Sequence, residues 1–156
     1  MSKYPLEPLA KLRDQKVDEA TTALAEAVRK QEAAARALHA AESRRDAQAR
    51  AAAAIREAER EALARGELRA RDLARVDAWG VRVAVEQAVL NGAVERAGAT
   101  EASAREGQGS AQGTLATRSA EARVVESHRE RWDDERRRAL EARDEEAATE
   151  AWRPAR

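Results

Sequence analysis

Cysteine and phenylalanine are both absent from the chain, and its aromatic side chains are three tryptophans and one tyrosine. The lack of cysteine excludes a disulfide framework and thiol chemistry, and it accords with a reducing cytoplasm. Proline is confined to the ends, at Pro5, Pro8 and Pro154. Leu9 through Arg153 is therefore free of the residue that costs a helix interior about 3 kcal/mol. Bulky aliphatics are scarce too, since Leu, Ile and Val together supply 22 of the 156 residues, too few for an ordinary globular core. No apolar run approaches the roughly 18–20 residues that span a bilayer, and the opening MSKYPLEPLAKLR lacks the apolar centre of a signal peptide. The expected location is the cytosol. Charge of one sign does not prevail either: 29 basic residues balance 29 acidic ones, and the balance holds segment by segment. Without a basic excess there is no electrostatic footprint of a nucleic-acid binder.

What fills the chain is alanine, at 40 residues, together with 37% charged residues. Ala, Arg and Glu are all good helix formers, so this composition supports helices that cannot be wrapped around a round core. Even charge argues against disorder, which usually carries a large net charge. The expected form is a helical rod.

One stretch, Ala62 to Trp79, organises the rest. Gly66 suits the left-handed residue that follows a helix, and Arg65 before it suits the negative end of the helix dipole. Asp72 is positioned to cap a new helix. The reading is one all-α domain, a long antiparallel two-helix coiled-coil hairpin. Its first helix covers about 9–65, the bend about 66–72 and the second helix about 73–152, with Pro154 as a stop.

Heptads support this. In the first helix, core positions fall at Ala10, Val17, Leu24, Gln31, Leu38, Arg45, Ala52 and Glu59, and their companions at Arg13, Ala20, Ala27, Ala34, Ala41, Gln48, Ile55 and Ala62. Alanine lets backbones approach but contributes little apolar area per turn. The second helix has seven-residue steps from Val76 through Val83, Leu90, Val125 and Trp132 to Ala139, a sustained spacing that argues for a coiled coil. Its opening third is apolar on more than one face, which leaves surface for a partner. Gly98 to Gly113 is a weak, glycine-rich stretch, expected to be helical but loosely held. Residues past about 130 outrun the first helix and form a charged tail.

No catalytic constellation is present. His39 and His128 lie on different helices without companions at metal-ligand spacing. The glycines of GQGSAQG precede no Lys-Ser or Lys-Thr pair and follow no strand, so no phosphate loop exists. The reading is no enzyme, no cofactor and no metal. Trp79 and Trp132 are the candidate binding residues. Trp79 also suits seam packing beside the bend, and Trp132 either packs on its own tail or anchors a contact.

The opening YPLEPLAKLRDQKVDEA, with Tyr4, Pro5, Leu6, Leu9, Leu12 and Arg13, resembles the N-terminus of the FliJ/YscO family of type III secretion proteins. The tail VVESHRERWDDERRRALEARDEE, with Val125, His128, Trp132, Glu135, Arg136, Glu141 and Glu145, is similar to that family's C-terminal helix. The resemblance implies a non-enzymatic central stalk of an injectisome or flagellar export apparatus. Such a stalk enters and stimulates the hexameric secretion ATPase, links it to the cytoplasmic domain of the export gate and interacts with export chaperones. It would sit at the cytoplasmic face of the apparatus and be a monomer in solution. By the same resemblance Leu6, Leu9, Val125 and Trp132 belong to the ATPase end, and Trp79, Val83 and Leu90 face the gate. The competing reading is a generic coiled-coil scaffold or holdase that uses the apolar residues after Val76 to dimerise or to cover clients.

Overall fold

The computed structural model describes residues 3–152, and Pro154 lies outside them. Two helices account for nearly all of the described residues: α1 (Glu7–Ala64) and α2 (Ala70–Ala151). No strand occurs among the described residues. The architecture is an all-α, two-helix hairpin. Pro8 is accommodated in the first turn of α1, where a missing N–H breaks no hydrogen bond.

The bend is set by backbone chemistry. Gly66 has a φ of 71°, a left-handed conformation that a β-carbon disfavours. The Gly66 N–H donates to the Leu63 carbonyl at 3.0 Å and the Glu67 N–H to the Ala62 carbonyl at 3.0 Å. These two bonds form the Schellman motif that satisfies the last carbonyls of α1. Asp72 does not occupy the cap position expected from sequence. Arg69 precedes the first helical residue, and Asp72 stands in the first turn, where its Oδ2 accepts from the Arg69 N–H at 3.0 Å. This is the returning half of a capping box, which places the acid three residues inside the helix.

The chain forms two compact units. One comprises Glu26–Gly109, the segments of α1 and α2 adjoining the bend. Its most buried apolar residues are Ala34, Ala52 and Val83, at 8%, 4% and 5% exposure. Leu38 packs opposite Gly98, where an added β-carbon would meet the Leu38 Cδ1 at 4.0 Å, an ordinary contact. Polar residues cross the seam as well: Gln31 Nε2 donates to Glu101 Oε1 at 3.0 Å, and Gln48 Nε2 to Glu86 Oε2 at 2.6 Å. The partners' numbers fall as the others rise, the signature of antiparallel pairing. Ile55 departs from the heptad register: it is 45% exposed, next in sequence to Arg56, whose guanidinium lies over the Trp79 ring. Gly98, Gly107 and Gly109 are all helical.

The second unit comprises Met1–Ala25 and Ser110–Arg156. Its seam contains Ala20 and Val125, at 6% and 8% exposure, and is closed by Tyr4 at 7%. Arg13 reaches across to Glu121, which also accepts from Arg118 at 3.0 Å. From Arg137 to the end of α2 every residue is exposed, Leu140 among them, as is Trp152 just past the helix. Same-helix pairs such as Arg137 with Asp134, at 2.6 Å, support that tail.

Candidate interaction surfaces

In the unit holding the chain ends, a single tyrosine gathers the candidate residues. The turn before α1, fixed by the Glu7 N–H donating to the Tyr4 carbonyl at 3.2 Å, lays the Tyr4 side chain against α2. Its hydroxyl donates to the Val125 carbonyl at 3.3 Å and stands 2.9 Å from His128 Nδ1. Its ring meets Trp132 edge-on, with centroids 5.6 Å apart and planes at 63°. Arg129 lies over the Tyr4 ring at 5.8 Å and reaches Glu7 at 3.3 Å, while Arg136 lies over Trp132 at 5.3 Å. Lys3, Lys11 and Asp133 complete a shallow groove around this aromatic floor. Two aromatic rings thus sit within a mostly basic rim.

The four residues expected at this end fall into different environments. Val125 is buried in the seam, so it supports the surface without forming part of it. Trp132 and Leu9 are half-buried, and Leu6 is exposed at the edge, as is Leu12 nearly two turns further on. Tyr4 was not singled out as a site residue from sequence. Its role depends on which part of α2 lies beside it, and only the seam register of the whole hairpin supplies that.

In the unit holding the bend, Trp79 is half-buried beneath Arg56, whose guanidinium lies 6.0 Å from the ring centroid. Glu59, Val76, Asp77, Gly80 and Val81 border an open groove beside it. Leu90 is half-buried, and Val83, at 5% exposure, is interior and unable to meet a partner while the hairpin is closed. The apolar surface of this unit is instead supplied by Leu63, Leu73, Val81, Val85 and Val89.

No cluster of three metal-ligating side chains occurs among the described residues, and no described helix is long and apolar enough to cross a membrane. Arg45 is pushed above its ordinary value by its hydrogen bond to Asp46 and by that residue's charge. Buried polar side chains are all hydrogen-bonded among the described residues, as an intact polar seam requires.

Comparison with known proteins agrees with this geometry. The YscO-like protein family model matches residues 1–151. The structure of a proposed YscO homolog, CT670, from Chlamydia trachomatis is similar at 26% identity and a TM-score of 0.84, covering 97% of this chain and 92% of that one. No curated protein matches. The chain belongs to the YscO-like family.

Proposed function

We propose that the chain is a non-enzymatic stalk component of a type III secretion apparatus, the process with which YscO-like proteins are associated. In this reading the paired chain ends bind and stimulate the hexameric secretion ATPase, and the region of the bend contacts the cytoplasmic domain of the export gate. ATP hydrolysis belongs wholly to the partner.

The observation that best supports the reading is the aromatic closure of the chain ends. Tyr4 and Trp132 hold the start of α1 against α2 and leave Leu6 and Leu12 exposed beside a basic rim. An apolar edge with flanking cations is a surface for docking another protein, and aromatic and arginine side chains are the residues that most often dominate such contacts. In the bend unit, Trp79 and Leu90 are half-buried, and Ile55, Leu63, Leu73, Val81, Val85 and Val89 are apolar side chains that the hairpin leaves exposed.

Reconstitution with the cognate ATPase and the gate domain tests this, read out by hydrolysis rate and by co-elution. The expected result is a higher hydrolysis rate at or below one chain per hexamer, together with a complex containing the gate domain. An unchanged rate with no complex would remove the stalk reading and leave a coiled-coil scaffold in its place.

A further inference from the structure

We propose that the outer face of α2 just past the bend pairs, in parallel, with the same face of a second copy of this chain. The inner face of this segment is spent on α1: Val76, Gly80, Val83, Gln87 and Leu90 are all buried or half-buried. On the opposite side α2 repeats the same four-three spacing with Ala74, Ala78, Val81, Val85, Ala88 and Gly92. Ala74, Ala78, Val81, Val85 and Ala88 of this row are all exposed, and Gly92 at its end is half-buried. Val81 and Val85 are 66% and 59% exposed, and Val89 at its border is 62% exposed. Valine is a poorer helix former than alanine and gains nothing from water. In a chain that fills its outer positions largely with alanine and charge, three valines on one outer face describe a second seam. Heptad spacing is what a partner helix needs in order to lie along such a row.

Charges on the two borders select the occupant and its direction. Arg75, Arg82 and Arg96 each directly follow a position on the row's line, on one border, and Asp77 directly precedes Ala78 on the other. In an antiparallel pair each border meets its own kind, and arginine would face arginine. In a parallel pair opposite borders meet, so Asp77 of one copy faces Arg82 of the next and Asn91 faces Arg96. Within the chain Asp77 and Arg82 have no ion-pair partner among the described residues. Small residues at Ala78, Ala88 and Gly92 let the two backbones approach closely. The row runs for only about five turns, so it buries less than the roughly 800 Å² per partner of a standard stable complex. The pairing is accordingly weak and concentration-dependent. Val81 of this row and Asp77 on its border also line the groove beside Trp79, so pairing and gate binding would compete for the same segment of α2.

Sedimentation equilibrium of the full chain over a wide concentration range tests it, with a reversible monomer–dimer equilibrium expected. Val81→Glu with Val85→Glu should weaken dimerisation by about tenfold or more, since both substitutions fall on exposed positions that leave the hairpin intact. Asp77→Arg should weaken it, and Asp77→Arg combined with Arg82→Asp should restore it. Because the chain has no cysteine, single introduced thiols report direction cleanly. Ala78→Cys should cross-link to its own copy on oxidation, and exposed Ala23→Cys should not. A chain that stays monomeric throughout overturns the proposal. So does cross-linking of Ala78→Cys to Gly92→Cys in place of itself, or a double charge swap that fails to restore pairing. If Val81→Glu with Val85→Glu abolishes gate binding in a strictly monomeric chain, the row belongs to the gate. ATPase stimulation, measured at concentrations where the chain is monomeric, is expected to be the same for that variant and the parent.

Discussion

Glu101 is buried at 9% exposure and takes a hydrogen bond from Gln31 across the seam at 3.0 Å, while Arg105, one turn further along α2, donates to the same oxygen at 2.8 Å. A carboxylate in such a position is held by its donors, and its removal leaves them without a partner. Glu101→Ala should lower stability by about 1–3 kcal/mol. Replacing both Gln31 and Glu101 by leucine should be neutral or stabilising, because an apolar pair has no desolvation cost to recover. Thermal unfolding followed by circular dichroism checks the pair of results, and a double variant weaker than Glu101→Ala would contradict them.

Tyr4 is the clasp of the chain ends. Tyr4→Phe removes one hydroxyl that reaches Val125 and His128 and should cost about 1 kcal/mol. Tyr4→Ala removes the ring that Trp132 packs on and should cost about 3 kcal/mol, at the lower limit for a buried aromatic because the seam is thin. Hydrogen exchange should show the loss concentrated in Leu6 to Leu12 and Val125 to Trp132.

Glycines divide into two kinds. Gly66→Ala meets no steric obstacle but must hold a left-handed φ, and should cost about 1–2 kcal/mol. Gly107→Ala and Gly109→Ala are also unobstructed, but in ordinary helical backbone, and each should add roughly 1 kcal/mol. Opposite signs in one set of denaturation curves are the expected outcome.

The two proposed contacts should be separable by mutation. Trp132→Ala should reduce ATPase stimulation with little change in helicity. Trp79→Ala with Ile55→Ala should weaken gate binding and spare the ATPase. Val83→Ala answers a different question, because it opens a gap in the seam and should cost roughly 2 kcal/mol of stability first. Equal stimulation by the parent and Trp132→Ala would count against the assignment of the chain ends.

The helices and their pairing were legible in the sequence because they rest on periodic signals. Heptad steps pointed to Ala20, Ala34, Ala52, Val83 and Val125, which together with Tyr4 are the buried apolar residues among the described ones. What depended on cross-chain register was not legible. Tyr4 sits outside α1 in a proline-containing turn, and no local pattern announces that it will close on residues more than 120 positions away. Asp72 was marked as a helix-start residue, but a capping box and a simple cap read alike until the backbone shows which residue comes first. Val83 and Val125 were recognised as apolar without being separable into interior and surface, since a heptad position states a direction and not an exposure. The outer valines were visible as residues on a second face, while the pairing of Asp77 with Arg82 required knowing which face α1 had already taken.

The Schellman bend at Gly66 also has a kinetic meaning. Pairs across the seam are separated by 38 residues at Gln48 and Glu86, by 70 at Gln31 and Glu101, by 108 at Arg13 and Glu121 and by 124 at Tyr4 and His128. Each step outward closes a longer loop, and once the inner contacts exist the next pair needs only a short advance of chain already held close. The molecule is therefore expected to zip from its turn toward its ends, with the tyrosine arriving last and leaving first.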